Sequence, residues 1–320
     1  MVGRGIAFAY HDGGWHQALG YLAQTLNEAD IALANLESPI SPYPPILSGQ
    51  EHPECSDPSK PQLYNLCSGP LGLQALKFAS IDLLSLANNH ALDCAPDGLS
   101  LTRQALSDAG LQAITPGPVP ILKEVNGLKL AFFALDDVAS LVDVDSVTRA
   151  IATASDSGHI VVVSFHWGSE YQGGPSPRQQ LLAQTLIDAG ASLIWGHHPH
   201  VLQRLEWVRG KCLGSSLNSP GLNVSSPGAA KIQGICTPPT RSPALVAYSL
   251  GNALFDQVTP PDATRSALLV VELDSNGVQS VQAVPFTIDG MKGLITRPDI
   301  ESAAAVLRRL GSIVNPTQTP

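Results

Sequence analysis

The sequence predicts a layered α/β fold, in which helices flank central mixed β-sheets. The first observation is the stretch 159–165, an apolar run rich in β-branched residues, which is typical of a strand buried on both faces. The second is that such runs alternate along the chain with segments whose apolar residues recur at helical spacing. The third is bulk. The chain has 320 residues, of which 44% are hydrophobic and 14% charged, so it can build a large core and is not wholly disordered.

The predicted helices are the segments in which apolar residues recur every three or four positions. They cover 16–29, 71–78, 98–109, 146–154, 177–189 and 300–310. The fifth has additional support, because Pro177 stands in its first turn, where proline is well tolerated.

The predicted strands are short apolar runs bounded by polar or turn-forming residues. They cover 30–34, 81–86, 121–125, 129–135, 159–165, 191–195, 245–250, 266–273 and 278–285. Asn126-Gly127 and Ser275-Asn276-Gly277 are turn sequences, so each is expected to join its two flanking strands as a hairpin.

Two stretches, 41–70 and 210–243, are rich in Pro, Ser and Gly and show no periodicity. Loops of this length in a compact domain usually have a function, and the first is expected to shape a cleft over the strand ends. No internal repeat or domain boundary is evident. We therefore predict a single domain over 1–311, with a frayed tail over 312–320.

The net charge, the apolar runs and the cysteines bear on which partners and which cellular setting the protein can have. The net charge of −9 argues against a nucleic-acid partner. No apolar run approaches the roughly 18–20 residues of a membrane span. Cys55 with Cys67, and Cys212 with Cys236, each flank one loop and are candidate disulfides, with free buried thiols as the alternative.

Five predicted strands stop in the same way, at small residues followed by Asn, Glu or His. The groups are Asn35 with Glu37, Asn89 with His90, His166 with Glu170, His197 through His200, and Gly251 with Asn252. Because the carboxyl ends of parallel strands meet at one edge, these side chains are expected to converge. Imidazole, amide and carboxylate ligands suit Zn²⁺, Mn²⁺ or Fe²⁺, and a pair of such ions can clamp a phosphoryl or acyl oxygen.

Several of these residues have structural alternatives. Glu37 can cap a turn, and His166 can be a satisfied core histidine. Glu170 is expected to orient a ligand, and Asp93 either caps a helix or holds His90. The adjacent pair 136–137, two aspartates, is interpreted as a solvated turn. His11, His16, His52 and His159 are interpreted as surface or packing residues.

Five motifs, in order, resemble those of the CapA capsule-synthesis family. They are Asn35-Leu36-Glu37-Ser38, Asn88-Asn89-His90-Ala91-Leu92-Asp93, His166-Trp167-Gly168-Ser169-Glu170-Tyr171, Gly196-His197-His198-Pro199-His200-Val201 and Tyr248-Ser249-Leu250-Gly251-Asn252. The resemblance covers about residues 1–256. It implies a calcineurin-like metallophosphoesterase fold and a link to poly-γ-glutamate capsule biosynthesis.

The resemblance also implies a role for each site residue. Glu37 takes the place of the metal-bridging carboxylate, Asn89 that of the amide ligand, and His90 that of the general acid or oxyanion stabiliser. His166 corresponds to the imidazole on the second metal. The terminal H-x-H spacing falls on His198 and His200. The extra His197 leaves open which pair ligates, and Asn35, Glu170 and Asn252 are additional candidates.

The chain departs from the family pattern at its start. Met1-Val2-Gly3-Arg4-Gly5 resembles the turn that follows the family's first strand and its Gly-Asp pair, so that strand is missing. We expect the start to have been placed too late, with loss of one ligand as the alternative. A segment upstream could then carry an export signal, in keeping with a cell-envelope location.

The sequence thus predicts a metal-dependent hydrolase that uses His90 and Asp93 and one or two divalent ions to cleave a phosphoester or a γ-glutamyl amide. The alternative is a non-catalytic component of a capsule polymer synthesis or export complex, bound to membrane synthase subunits. A weaker alternative is metal-independent proton transfer at a peptide Cα.

Overall fold

The computed structural model describes residues 2, 6, 9–10, 14–41, 66–94, 96–210, 242–289 and 293–311. The helices within these ranges are α1 (Trp15–Ala18), α2 (Gly20–Asn27), α3 (Leu73–Phe78), α4 (Gly98–Asp108), α5 (Val144–Asp156), α6 (Pro177–Asp188) and α7 (Ile300–Leu310). The strands are β1 (Leu33–Asn35), β2 (Leu83–Ser85), β3 (Gln112–Ile114), β4 (Gly117–Val125), β5 (Leu128–Asp136), β6 (Ile160–His166), β7 (Ala191–His197), β8 (Leu205–Val208), β9 (Ala244–Ala247), β10 (Arg265–Asp274), β11 (Gly277–Asp289) and β12 (Leu294–Thr296).

The largest sheet has six strands in the order β4-β5-β6-β7-β9-β8. Its four central strands are parallel, and β4 and β8 run antiparallel at the two edges. Every residue of β6 is buried, as its β-branched sequence predicts for a strand covered on both faces. The last residues of three neighbouring strands, Asp136, His166 and His197, lie side by side in register.

Two smaller sheets complete the fold. β1, β2 and β3 form a parallel sheet, and β10, β11 and β12 form an antiparallel one. Because β1 and β2 are parallel and in register, the chain segments that follow them leave the same edge of this sheet. These segments contain Glu37 and Asn89.

The sheets and helices pack in four layers. Side chains on one face of the six-stranded sheet, such as Val161 and Val163, pack against Ile151 of α5 and Leu182 of α6. The opposite face packs against the two smaller sheets through a second cluster, whose members include Phe132, Val162, Leu83, Ile114 and Val281. Helices α1 to α4 cover the outer face of the parallel sheet. The predicted layered α/β fold with mixed sheets is confirmed.

Most predicted elements are present with shifted ends. The predicted helix over 16–29 is instead two helices, α1 and α2, separated at Leu19. Strands β3, β8 and β12, each of three or four residues, were not predicted. Both predicted hairpins are present, as β4 with β5 and β10 with β11.

The disulfide pairing differs from the prediction. Cys67 is bonded to Cys94, with Cα atoms 4.9 Å apart, and therefore not to Cys55. The turn after β2 brings Cys94 back to Cys67, a proximity that spacing along the chain does not reveal. Cys55, Cys212 and Cys236 lie outside the described residues. Among the described helices, none is long and apolar enough to cross a membrane.

Candidate metal centre

Five predicted ligands converge where the ends of the parallel sheet and the six-stranded sheet meet. Glu37 follows β1, Asn89 follows β2, His166 ends β6, and His198 and His200 follow β7. Ligand atoms of Glu37, His198 and His200 all lie within 4.8 Å of one another. His166 Nε2 lies 3.9 Å from Glu37 Oε1 and 2.7 Å from Asn89 Oδ1, so Glu37 is near all the other predicted ligands.

Glu37 is the centre of the arrangement. Its Oε1 lies 3.9 Å from His166 Nε2 and 3.7 Å from His200 Nε2. The other oxygen, Oε2, accepts a hydrogen bond from Asn35 Nδ2 at 3.3 Å. Oε1 is buried and has no hydrogen-bond partner. A buried carboxylate oxygen without a donor costs free energy, on the order of 1–3 kcal/mol or more for a charged group. A cation bound next to Oε1 would offset this cost.

The proton positions on His200 follow from its neighbour Asn252. The Nδ2 group of Asn252 donates to the carbonyl oxygens of His200 and Ala263 at 3.3 and 3.1 Å, which directs Oδ1 towards the imidazole. His200 Nδ1 lies 2.8 Å from that Oδ1 and therefore donates to it. In a neutral imidazole the other nitrogen, Nε2, then carries only a lone pair. When His200 is neutral, two acceptors, His200 Nε2 and Glu37 Oε1, therefore lie 3.7 Å apart.

The turn 196–200 places the histidines after β7. His198 and His200 both have positive φ, 98° and 58°, a conformation that non-glycine residues seldom adopt and that is common at functional sites. At Gly196 a Cβ would collide with the backbone oxygen of Tyr248 and the indole of Trp167, so only glycine fits there. His198 Nδ1 is buried without a hydrogen-bond partner, which makes it a second unsatisfied atom in this cluster.

His166 is fully buried between two neighbours. Its Nε2 lies 2.7 Å from Asn89 Oδ1, and its Nδ1 lies 2.6 Å from His197 Nδ1. Burial, together with the nearby histidines, lowers the pKa of His166 well below its ordinary value. Burial also lowers the pKa of His198, against the opposing charges of Glu37 and Glu170. Both imidazoles are therefore neutral at pH 7, the form that binds metals.

His90 and Asp93 form a dyad beside this cluster. His90 Nδ1 lies 2.7 Å from Asp93 Oδ2, which also accepts a hydrogen bond from the backbone N–H of Leu66 at 2.8 Å. The His90 side chain is 16% exposed, whereas Asp93 is buried. Of the two interpretations of Asp93, the geometry is that of a residue holding His90. Asp93 is not the cap of α4, which follows Asp97.

The remaining candidates lie at the periphery. Asn35 links Glu37 to Asn88, whose Nδ2 donates to Asn35 Oδ1 at 3.2 Å and to the carbonyl of Leu36 at 3.0 Å. Glu170 is exposed on the loop after β6, and its charge acts on His198. Both nitrogens of His197 are directed to protein partners rather than towards Glu37.

The interpretation of residues 136 and 137 as a solvated turn is wrong. Asp137 is only 5% exposed and forms a two-pronged ion pair with Arg178, with both contacts at 2.6 Å. Asp136 accepts hydrogen bonds from the backbone of Val138 and Ala139. Burial raises the pKa of Asp136. Each of the two carboxylates therefore has a partner within the fold.

Two polar residues of the site were not predicted, Asn88 and Ser164. Asn88 directly precedes Asn89 and is buried, and its Oδ1 accepts from the backbone N–H of His90 at 3.2 Å. Ser164 stands two residues before His166 on β6, so the two side chains share one face of the strand. The spacing of two residues between Ser164 and His166 is the sequence feature from which Ser164 could have been predicted. Of the histidines set aside, His16 packs edge-on against Phe78 and His159 bonds the carbonyl of Ala154, while His11 and His52 lie outside the described residues.

Comparison with known proteins identifies the family. Residues 1–257 match the model of the family described as "Bacterial capsule synthesis protein PGA_cap". The chain is 28% identical over 311 residues to the "Capsule biosynthesis protein CapA" of Bacillus anthracis, covering 90% of this chain and 65% of that protein, just under two thirds of its length. It is 28% identical over 331 residues to the "PGA biosynthesis protein CapA" of Bacillus subtilis (strain 168), covering 97% of this chain and 75% of the relative.

Two further proteins resemble the chain either over a smaller part of its length or at a lower sequence identity. A "Probable polyglutamine synthesis accessory protein" of Mycobacterium tuberculosis is 28% identical over 227 residues, which cover 62% of this chain and 56% of that protein. A crystal structure of a hypothetical protein from Thermus thermophilus superposes with a TM-score of 0.47 at 15% identity, covering 86% of this chain and 94% of that one. The expected kinship with CapA is confirmed, and a calcineurin-like superfamily is consistent with it. Because the family model matches residues 1–257 of 320, this chain belongs to the bacterial capsule synthesis protein family PGA_cap.

Proposed function

We propose that this protein is a metal-dependent hydrolase that acts in the biosynthesis of a poly-γ-glutamate capsule. One observation carries the proposal. Glu37 Oε1 is buried without a hydrogen-bond donor, and it lies 3.9 Å from His166 Nε2 and 3.7 Å from His200 Nε2. Acceptors converge in this way where a protein holds a cation.

The donor set fits one or two transition-metal ions. Glu37, His198 and His200 would hold the first, and Glu37, Asn89 and His166 would hold a second. Mixed nitrogen and oxygen ligands suit Mn²⁺, Zn²⁺ or Fe²⁺ rather than Ca²⁺, which prefers an all-oxygen cage. When bound, such an ion lowers the pKa of a coordinated water and polarises a phosphoryl or carbonyl oxygen.

The protein's own acid is His90. Asp93 Oδ2 lies 2.7 Å from His90 Nδ1 and orients the ring. Nε2 of His90 is then the nitrogen that can give a proton to the leaving group. The backbone N–H of Leu66 donates to the same carboxylate oxygen at 2.8 Å and helps to hold Asp93 beside the imidazole.

The substrate class we propose is an anionic phosphoester or a γ-glutamyl amide, and the partners are membrane synthase subunits. The names of the relatives support a role in capsule or polyglutamate synthesis. We also propose a location outside the reducing cytosol. The Cys67–Cys94 disulfide supports it, because disulfides persist mainly in oxidising compartments.

Metal content and hydrolysis test the proposal together. The protein is loaded with Mn²⁺ or Zn²⁺, desalted and analysed for metal, then assayed on bis(p-nitrophenyl) phosphate and on γ-glutamyl-p-nitroanilide. Glu37→Ala and His200→Ala should lose metal and turnover. His159→Ala, which removes a histidine bonded only to Ala154 in the described structure, should retain both. Unchanged metal content in Glu37→Ala and His200→Ala would contradict the proposal.

A second candidate is a non-catalytic component of the polymer synthesis or export complex. The observation that favours it is the name of the Mycobacterium tuberculosis relative, an accessory protein. A protein that binds metal, cleaves neither ester nor amide, and co-purifies with synthase subunits would support this candidate. Turnover by the isolated chain that depends on His90 would exclude it.

A further inference from the structure

A continuous line of hydrogen-bonding groups passes through His166, from Ser164 to Asn89. Ser164 Oγ lies 2.8 Å from His197 Nε2, and His197 Nδ1 lies 2.6 Å from His166 Nδ1. At the other end, His166 Nε2 lies 2.7 Å from Asn89 Oδ1. Ser164, His166 and His197 are all buried. This line, Ser164–His197–His166–Asn89, is called the histidine relay below.

The sheet fixes the geometry of the histidine relay. His166 and His197 are paired in register at the ends of β6 and β7, so their rings meet at a distance set by the backbone. The ring centroids are 4.8 Å apart. Both nitrogens of His197 are used within the relay, which leaves none to ligate an ion.

The histidine relay can exist in two proton arrangements, and only one suits a metal. If His166 donates from Nε2 to Asn89, then His197 donates from Nδ1 to His166, and the Ser164 hydroxyl donates to His197. If His166 instead donates from Nδ1 to His197, then His197 donates from Nε2 to Ser164. A hydroxyl can donate or accept, so Ser164 completes the line in both arrangements. The second arrangement exposes the Nε2 lone pair of His166 beside Asn89 Oδ1 and Glu37.

We propose that His197 and Ser164 are positioning residues that hold His166 in the tautomer and orientation that bind the ion. This inference rests on the proposed function, because it assigns a role towards the proposed metal. The extra histidine in the motif 196–200 thereby has a purpose distinct from that of His198 and His200. Partners of this kind behind a ligand typically change metal affinity by about 10–100-fold when they are removed.

Metal affinity measures the effect directly. The dissociation constant for Mn²⁺ or Zn²⁺ is determined by chelator competition for wild type, His197→Ala and Ser164→Ala. We expect roughly 10–100-fold weaker binding in His197→Ala and a smaller loss in Ser164→Ala, since a water can replace a hydroxyl more easily than a ring. His159→Ala and Ser192→Ala are the matched controls. Ser192 lies at the opposite end of β7 from His197, so both controls should bind as wild type.

Nitrogen-15 NMR of histidine-labelled wild type provides a test that needs no variant. Metal loading should give a His166 ring protonated at Nδ1, and a His197 ring protonated at Nε2. A metal-loaded His197 protonated at Nδ1 would overturn the inference even if His197→Ala failed to fold.

The outcomes separate the inference from the function on which it rests. A wild-type protein that binds no metal would contradict both the proposed function and the inference about His197 and Ser164. A second outcome would contradict the inference alone. In it, the wild type binds metal, and a folded His197→Ala variant binds metal with a dissociation constant within about twofold of the wild-type value. That change is well below the loss expected when such a partner is removed. Weaker binding in His197→Ala, with unchanged binding in the two controls, supports both.

Discussion

Replacing Glu37 by glutamine should make the metal-free protein more stable while weakening its metal binding. In the metal-free protein, the unpaired Oε1 of Glu37 faces nitrogens of His166 and His200 at 3.9 and 3.7 Å. At a pH where His200 is neutral, its Nδ1 donates to Asn252 and its Nε2 carries a lone pair. In Glu37→Gln, an amide N–H₂ group can take the place of Oε1 and donate to that nitrogen. The other side-chain oxygen can still accept from Asn35.

The expected gain follows from two contributions. An unsatisfied buried acceptor costs about 1–3 kcal/mol, and a new neutral hydrogen bond contributes about 0.5–1.5 kcal/mol. We expect the free energy of unfolding of the variant to lie about 1–3 kcal/mol above that of the metal-free wild type. At about 2–4 °C per kcal/mol for a domain of this size class, Tm should rise by several degrees. With metal at about 100 times its Kd, the wild type gains about 2.7 kcal/mol, which the variant should largely lack.

Thermal unfolding of both proteins at about pH 8, where imidazoles are mostly neutral, tests the prediction. In chelator the variant should have the higher Tm, and saturating Mn²⁺ or Zn²⁺ should raise the Tm of the wild type by more than that of the variant. Glu124→Gln, which changes an exposed carboxylate on β4, should leave both values unchanged. A Glu37→Gln protein that is less stable in chelator, or gains as much from metal as wild type, would refute the reasoning.

Three further predictions concern the acid, the pH dependence and the disulfide. His90→Gln should lower kcat by about 10²–10⁴-fold, and Asp93→Asn by less, while metal content measured after desalting stays at the wild-type level. Burial lowers the pKa of His197 from 6.5 to about 3. The unfolded chain therefore takes up this proton first as pH falls, and the folded state loses about 1.4 kcal/mol per pH unit between those values. In chelator, denaturant unfolding should show a shallower loss between about pH 6 and pH 4 in His197→Asn than in wild type. The double change Cys67→Ser with Cys94→Ser removes a cross-link between positions 27 residues apart. It should lower the free energy of unfolding by about 2–4 kcal/mol, which denaturant titration with and without reductant will measure.

The sequence predicted which side chains meet at the sheet edges, because each comes directly after a recognisable buried strand. An apolar run that ends in polar residues marks a strand end, and parallel strand ends share an edge. Glu37, Asn89, His166, His198 and His200 were all chosen on this basis, and the structure brings them together. Their role as metal ligands stays a prediction until metal is measured.

Other features could not be predicted, because they depend on distances across the chain. Cys67 and Cys94 lie 27 positions apart, and only the turn after β2 brings them together. Asp137 pairs with Arg178 across 41 residues, a contact that no local pattern encodes.

What the sequence by itself determined is the order of the main elements and the chemistry at the strand ends, because both depend on local periodicity and residue type. Only the tertiary structure decided which nitrogen of each histidine faces Glu37. That choice depends on partners such as Asn252, which stands 52 residues from His200, and His197, which stands 31 from His166. Side chains so far apart in sequence meet only through strand register and sheet packing, and they determine which ring atoms are free to bind an ion.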